Sequence, residues 1–160
     1  MEDNNIQMED LLGMQNVFVD TFKHNLDPKK RLTIPSEWRA LVGTPERLFV
    51  LPSTNDPCLC VYPAREMARK LQKLRDVSLV DEANQNFMRT LSSRANLVPW
   101  DAQGRIRIKD DLLSYAELKD EVMLVGVFTR FELWSPEQWQ LKQPELSRQR
   151  LGEAARSIGL

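Results

Sequence analysis

Asp27-Pro28-Lys29-Lys30-Arg31-Leu32-Thr33-Ile34 and Asp101-Ala102-Gln103-Gly104-Arg105-Ile106-Arg107-Ile108 are two versions of one stretch. Each sets Asp four residues ahead of Arg, and the Arg opens an alternating apolar run that reads as a strand. The likeness extends beyond these residues. Leu48-Phe49-Val50-Leu51 lines up with Val122-Met123-Leu124-Val125, and Leu59-Cys60-Val61-Tyr62 with Phe131-Glu132-Leu133-Trp134. Both copies then reach a helix start, at Pro63-Ala64-Arg65-Glu66 and Ser135-Pro136-Glu137-Gln138. Ser followed by Pro and an acid suits an N-cap, because the first turn leaves the missing Pro N–H unpaired anyway. The unit therefore reads strand, charged turn, strand, short helix, strand, strand, helix.

An internal repeat implies that each copy buries its apolar face against the other. Halves this short are near the lower limit for independent stability, so a shared core or self-association is expected. The division along the chain is an acidic extension over 1–16, a first repeat over 17–75, a connector helix over 76–95, a second repeat over 96–141 and a tail over 142–160. The connector is predicted from Val80, Ala83, Asn84, Phe87, Met88 and Leu91, whose spacing of three and four makes one apolar stripe, for a core contact or a subunit interface. The run from Val122 to Val127 is expected to be a buried strand. The tail carries helical spacing at Leu146, Leu151, Ala154, Ala155 and Ile158 without an evident core role.

The 160 residues carry a net charge of −1, which excludes a uniformly basic surface but not a basic patch. No apolar run is long enough to cross a bilayer, and residues 1–16 lack the basic start of a secretory signal. The expected setting is cytoplasmic. Cys58 and Cys60 are the only cysteines, and two apart on a strand they share a face, which predicts buried thiols rather than a local disulfide. With no second Cys pair, and His24 distant in sequence, neither a metal nor another cofactor is expected. His24 itself reads as a structural hydrogen-bonder, and Trp38, Trp100, Trp134 and Trp139 as packing residues.

The repeated turn is where chemistry is concentrated. From residue 23 to 39 the bases Lys23, Lys29, Lys30, Arg31 and Arg39 face only Asp27 and Glu37. Such an excess suits a phosphate backbone, and Arg can also read a guanine edge bidentately. From Asp101 to Asp111 the bases Arg105, Arg107 and Lys109 are balanced by Asp101, Asp110 and Asp111. The first turn is therefore expected to supply most phosphate affinity, and loss of Arg31 to cost more than loss of Arg105. Asp27 and Asp101 are expected to accept hydrogen bonds from their own turns. An Asp–Arg pair that only holds a turn is the alternative reading, and the residues alone leave both open. Catalysis is not expected: one His, no nucleotide-binding loop, and Asp residues kept ionised by their Arg neighbours offer no catalytic set.

His24-Asn25-Leu26-Asp27 through Arg31-Leu32-Thr33-Ile34-Pro35, Pro57-Cys58-Leu59-Cys60-Val61-Tyr62-Pro63, Val122-Met123-Leu124-Val125-Gly126 and Phe131-Glu132-Leu133-Trp134 together resemble the MraZ family, in order, over residues 17 to about 140. The resemblance implies an α+β fold with a mainly β core, in which two tandem repeats of the SpoVT-AbrB type form a swapped-hairpin β-barrel with flanking helices. It further implies a nucleoid-associated transcriptional regulator, assembled as a ring-shaped homo-oligomer. Its partner would be double-stranded promoter DNA carrying direct repeats, upstream of the division and cell-wall gene cluster that includes its own gene. DNA contacts are then expected from Arg31, Lys29, Lys30, Arg105 and Lys23, with Asp27 and Asp101 as turn carboxylates. A protein-interaction or antitoxin-like module on the same fold is the alternative. Two departures from the family pattern stand out. Lys30 occupies a position where the family usually has Gly, as at Gly104, and would be strained if that position needs a positive φ. Lys109 stands where the family often has Pro.

Overall fold

The computed structural model describes residues 17–75, 81–143 and 147–160. The extension 1–16, the beginning of the connector and Leu146 of the tail lie outside the described residues. In chain order the first copy contributes strands β1 (Thr21–Asn25) and β2 (Arg31–Thr33), helix α1 (Ser36–Val42), strands β3 (Arg47–Pro52) and β4 (Leu59–Pro63), and helix α2 (Ala64–Arg75). The connector forms α3 (Glu82–Arg94). The second copy repeats the series as β5 (Asn96–Pro99), β6 (Arg105–Arg107), α4 (Asp110–Tyr115), β7 (Glu121–Val127), β8 (Arg130–Trp134) and α5 (Pro136–Lys142), and α6 (Arg148–Ser157) closes the chain.

The strands form one six-stranded antiparallel sheet, ordered β1-β7-β8-β4-β3-β5, and a separate two-stranded ribbon, β2-β6. The copies are interleaved: the first strand of each pairs with the third strand of the other, β1 with β7 and β5 with β3. The ladders thus have an internal two-fold relation, at whose centre repeat-matched residues face each other, Leu32 opposite Ile106 in the ribbon and Cys60 opposite Glu132 in the sheet. Among the described residues, ladder pairing leaves the sheet with two free ends, β1 and β5, and no strand pair joins it to the ribbon.

Alternation decides what is buried. Leu32 and Ile106 point inward from the ribbon, and Leu48, Val50, Leu59, Val61, Val122, Leu124, Phe131 and Leu133 meet them from the sheet. Trp38 and Val42 of α1 and Leu112 and Leu113 of α4 also belong to this core. Trp38 makes edge contacts to Phe18 and Phe22 with ring centroids 5.7 and 5.1 Å apart, and its indole N–H donates to the Val19 carbonyl at 3.1 Å. The outer face of the sheet holds a smaller cluster, in which Cys58, Val125 and Trp134 pack with Met123 and Trp139. The expected helix start at Ser135 is present, its hydroxyl accepting from the Gln138 N–H at 3.1 Å. The Val122–Val127 run is buried through Val122, Leu124 and Val125, whereas Met123, Gly126 and Val127 are half-buried. The connector stripe does not enter the core: α3 has no buried residue, and Phe87 is 49 % exposed.

Candidate nucleic-acid interface

Each DxxxR turn is built by its own carboxylate. Asp27 Oδ1 accepts from the N–H groups of Lys29 (2.9 Å) and Arg31 (2.8 Å), and Oδ2 accepts from Arg31 Nε at 2.6 Å. Asp101 repeats the pattern with Gln103 N–H (2.9 Å), Arg105 N–H (3.0 Å) and Arg105 Nε (2.9 Å). Short Asp side chains close turns this way because they reach backbone donors two residues on. The backbone of both turns closes identically, with Lys30 N–H on the Asp27 carbonyl and Gly104 N–H on that of Asp101. The closing residue is left-handed in both, φ +60° at Lys30 and +78° at Gly104, so the strain anticipated for Lys30 is real.

The fold brings the two turns side by side. The β2-β6 register sets Arg31 opposite Arg107 and Thr33 opposite Arg105, and because Leu32 and Ile106 point inward, these four residues lie on the ribbon's outer face. Arg31 reaches Asp101 at 3.9 Å and Arg105 reaches Asp27 at 3.8 Å, so the pairs lock across the two-fold relation. An Nε bond fixes the plane of each guanidinium while 29 % of Arg31 and 26 % of Arg105 stays accessible. A planar donor fork held in place beforehand is what bidentate recognition of a base edge or phosphate requires.

The carboxylates stay ionised in this setting. Desolvation pushes the Asp27 carboxyl up, but the Arg31 N–H and guanidinium and the Lys29 N–H outweigh it and hold it below the ordinary range. The Arg105 N–H is the largest influence on Asp101, and with the Arg105 guanidinium it holds that carboxyl low as well.

Charge is not partitioned as the linear sequence suggests. Lys30, assigned to the first turn's excess, pairs with Asp110 of the second copy at 3.0 Å, and Arg107 shares that carboxylate at 3.1 Å. Arg39, also of the first copy, donates from Nε to the Ile34 carbonyl at 3.1 Å and lies directly against Gly104 of the second turn. The expected imbalance between the copies is thereby largely evened out, because interleaving places each copy's charges beside the other's turn. Lys29 is exposed beside Asp27, whereas Lys23 stands apart on β1, paired with Glu121 at 3.1 Å. The fold also brings Arg107 and Arg39 beside the turns, two residues that the sequence reading does not single out. Arg107 could have been found from its alternation with Arg105 on one strand, but nothing local to Arg39 points to Gly104.

Lys30, Arg31, Arg105 and Arg107 are gathered here with Asp27, Asp101 and Asp110, and Lys29 and Arg39 adjoin the turns. A two-stranded ribbon is also one of the two elements that fit the major groove of B-DNA.

A family profile described as "MraZ protein, putative antitoxin-like" matches residues 91–158. The chain is 35 % identical over 146 residues to the transcriptional regulator MraZ of Halothermothrix orenii, covering 90 % of this chain and 100 % of that one. It is 37 % identical over 123 residues to the protein of the same name from Clostridium acetobutylicum, and 38 % identical over 123 residues to that of Alkaliphilus metalliredigens. Both of these alignments cover 77 % of this chain and 84 % of the relative.

Proposed function

This chain belongs to the MraZ family, and from that membership we propose that it is a sequence-specific DNA-binding transcriptional regulator. Its sites are direct repeats in the promoter of the division and cell-wall gene cluster, its own gene included, and it reads them through the paired DxxxR turns. The observation that carries this reading is the arginine-faced ribbon. Arg31 and Arg105, fixed by Asp27 and Asp101, contact base edges or the phosphates beside them. Lys29 and Lys30 neutralise phosphates, with Arg107 and Arg39 added by their place on the same face, and Lys23 does so apart from the ribbon, from β1. Asp27 and Asp101 serve the turns and not the DNA.

In this reading the two repeats, 17–75 and 96–141, are joined by the connector 76–95 and flanked by the extension 1–16 and the tail 142–160. Sheet and ribbon are the two parts of a swapped-hairpin barrel. Subunits assemble into a nucleoid-associated ring, so that repeated turns meet repeated DNA boxes and weak contacts gain from effective concentration. A protein-interaction or antitoxin-like role is the second reading, favoured by the exposed Phe87 of α3 and by the description of the matching family.

Fluorescence anisotropy separates them. Wild type and Arg31→Ala are titrated with a fragment from upstream of the chain's own gene and with a scrambled control, at two salt concentrations. Selective binding that salt weakens and Arg31→Ala removes is the regulator's signature. Equal binding to both fragments, or none, refutes it and directs the search to protein partners.

A further inference from the structure

The outer face of the sheet, opposite the core from the arginine ribbon, gathers a set of donors that DNA binding does not use. Cys60 and Glu132 face each other across the β4-β8 ladder, and Cys58, just ahead of β4, joins them. One ligand atom from each, the two sulfurs and a carboxylate oxygen, lie within 4.8 Å of one another, with Cys60 Sγ 4.0 Å from Glu132 Oε2. All three residues are buried, at 0, 8 and 9 % exposure for Cys58, Cys60 and Glu132. The packed Trp134 and Trp139 rings, 5.5 Å apart, belong to the same cluster.

From this geometry we propose that Cys58, Cys60 and Glu132 form a binding site for a thiolate-seeking divalent cation of the zinc class. Two sulfurs select against magnesium and calcium, and three protein donors leave a fourth tetrahedral position for water. Glu132 already has the outer hydrogen bonds that orient a ligating carboxylate: Trp134 Nε1 donates to Oε1 at 3.2 Å and Arg130 Nη2 to Oε2 at 3.1 Å. The charges also close. Two thiolates and a carboxylate are neutralised by a dication together with Arg130, whose Nε is buried without a hydrogen-bond partner and which lies 6.0 Å over the Tyr62 ring. The two thiol protons leave to solvent as the cation enters. A search for Cys and His alone misses this site, because its third ligand is a Glu supplied by the other copy.

The reduced full-length protein titrated with Co²⁺ tests it. One equivalent is expected to give the thiolate-to-cobalt charge-transfer absorption and tetrahedral visible bands, which Zn²⁺ then abolishes, with about two protons released. Zn²⁺ also raises the melting temperature of wild type and not of Cys60→Ala. Trp134→Phe, which keeps all three ligands, weakens binding about tenfold by removing an outer hydrogen bond. Absence of charge-transfer absorption in wild type overturns the proposal whether or not any variant folds. Undiminished binding by a folded Cys60→Ala overturns it equally.

Discussion

Gly104→Ala is expected to destabilise the protein by about 2 kcal/mol. An L-residue at φ +78° carries a left-handed cost of about 1–2 kcal/mol. The new Cβ would also fall 2.5 Å from Arg39 Cζ and 2.6 Å from its Nε, so the guanidinium must move. Moving it breaks the Nε bond to the Ile34 carbonyl, a loss of about 1 kcal/mol. Alanine returns a fraction of this by restricting the unfolded chain. Urea denaturation followed by tryptophan fluorescence reads the change, and a companion melt should show Tm lower by about 4–8 °C. The repeat-matched Lys30→Ala is the control. Lys30 already bears its strain at φ +60° and its ion pair to Asp110 is exposed, so its removal should fall within about 0.5 kcal/mol. Equal effects from the two substitutions, or a change below about 0.5 kcal/mol for Gly104→Ala, would refute the packing of Arg39 against the second turn.

Arg31→Ala and Arg105→Ala should each cost about 1–3 kcal/mol of operator binding and agree within about threefold in affinity, since each Nε is held by its own turn's Asp and the exposures match, Arg105 differing in that its Nη2 also donates to Gln103; a tenfold gap in anisotropy titrations would show that one turn dominates. Lys29→Ala should weaken binding to all sequences alike and lower the salt slope by about one, measured across a salt series. Because the folded Asp27 and Asp101 carboxyls titrate below their unfolded value of about 4, their stabilisation is complete above that pH. It is lost as pH falls through the lowered folded values, so melts from pH 6 to 3 should steepen in wild type and flatten in the Asp27→Asn/Asp101→Asn double variant. Gly126→Ala should cost about 1–3 kcal/mol in urea denaturation, because its Cβ would sit 2.7 Å from the Phe18 carbonyl carbon and oxygen, backbone atoms that cannot swing aside.

The order of strands and short helices within each copy was legible from the repeat, since alternation, turn chemistry and the Ser135 cap are local and the chain states each of them twice. So was the role of Asp27 and Asp101, because an Asp reaches only the backbone donors next to it. The interleaving was not read from spacing, since β1 on β7 and β5 on β3 are pairings between segments whose apolar patterns would equally allow each copy to pair within itself. From that one choice follow the features that local reading missed. Lys30 meets Asp110, Arg39 fills the space above Gly104, Arg107 joins Arg31 on a single face, and Cys60 finds Glu132. The sequence by itself determined the elements and the turns, because those depend on neighbours a few residues away. Tertiary structure alone decided which charges and thiols stand together, because that depends on how two nearly identical halves exchange strands.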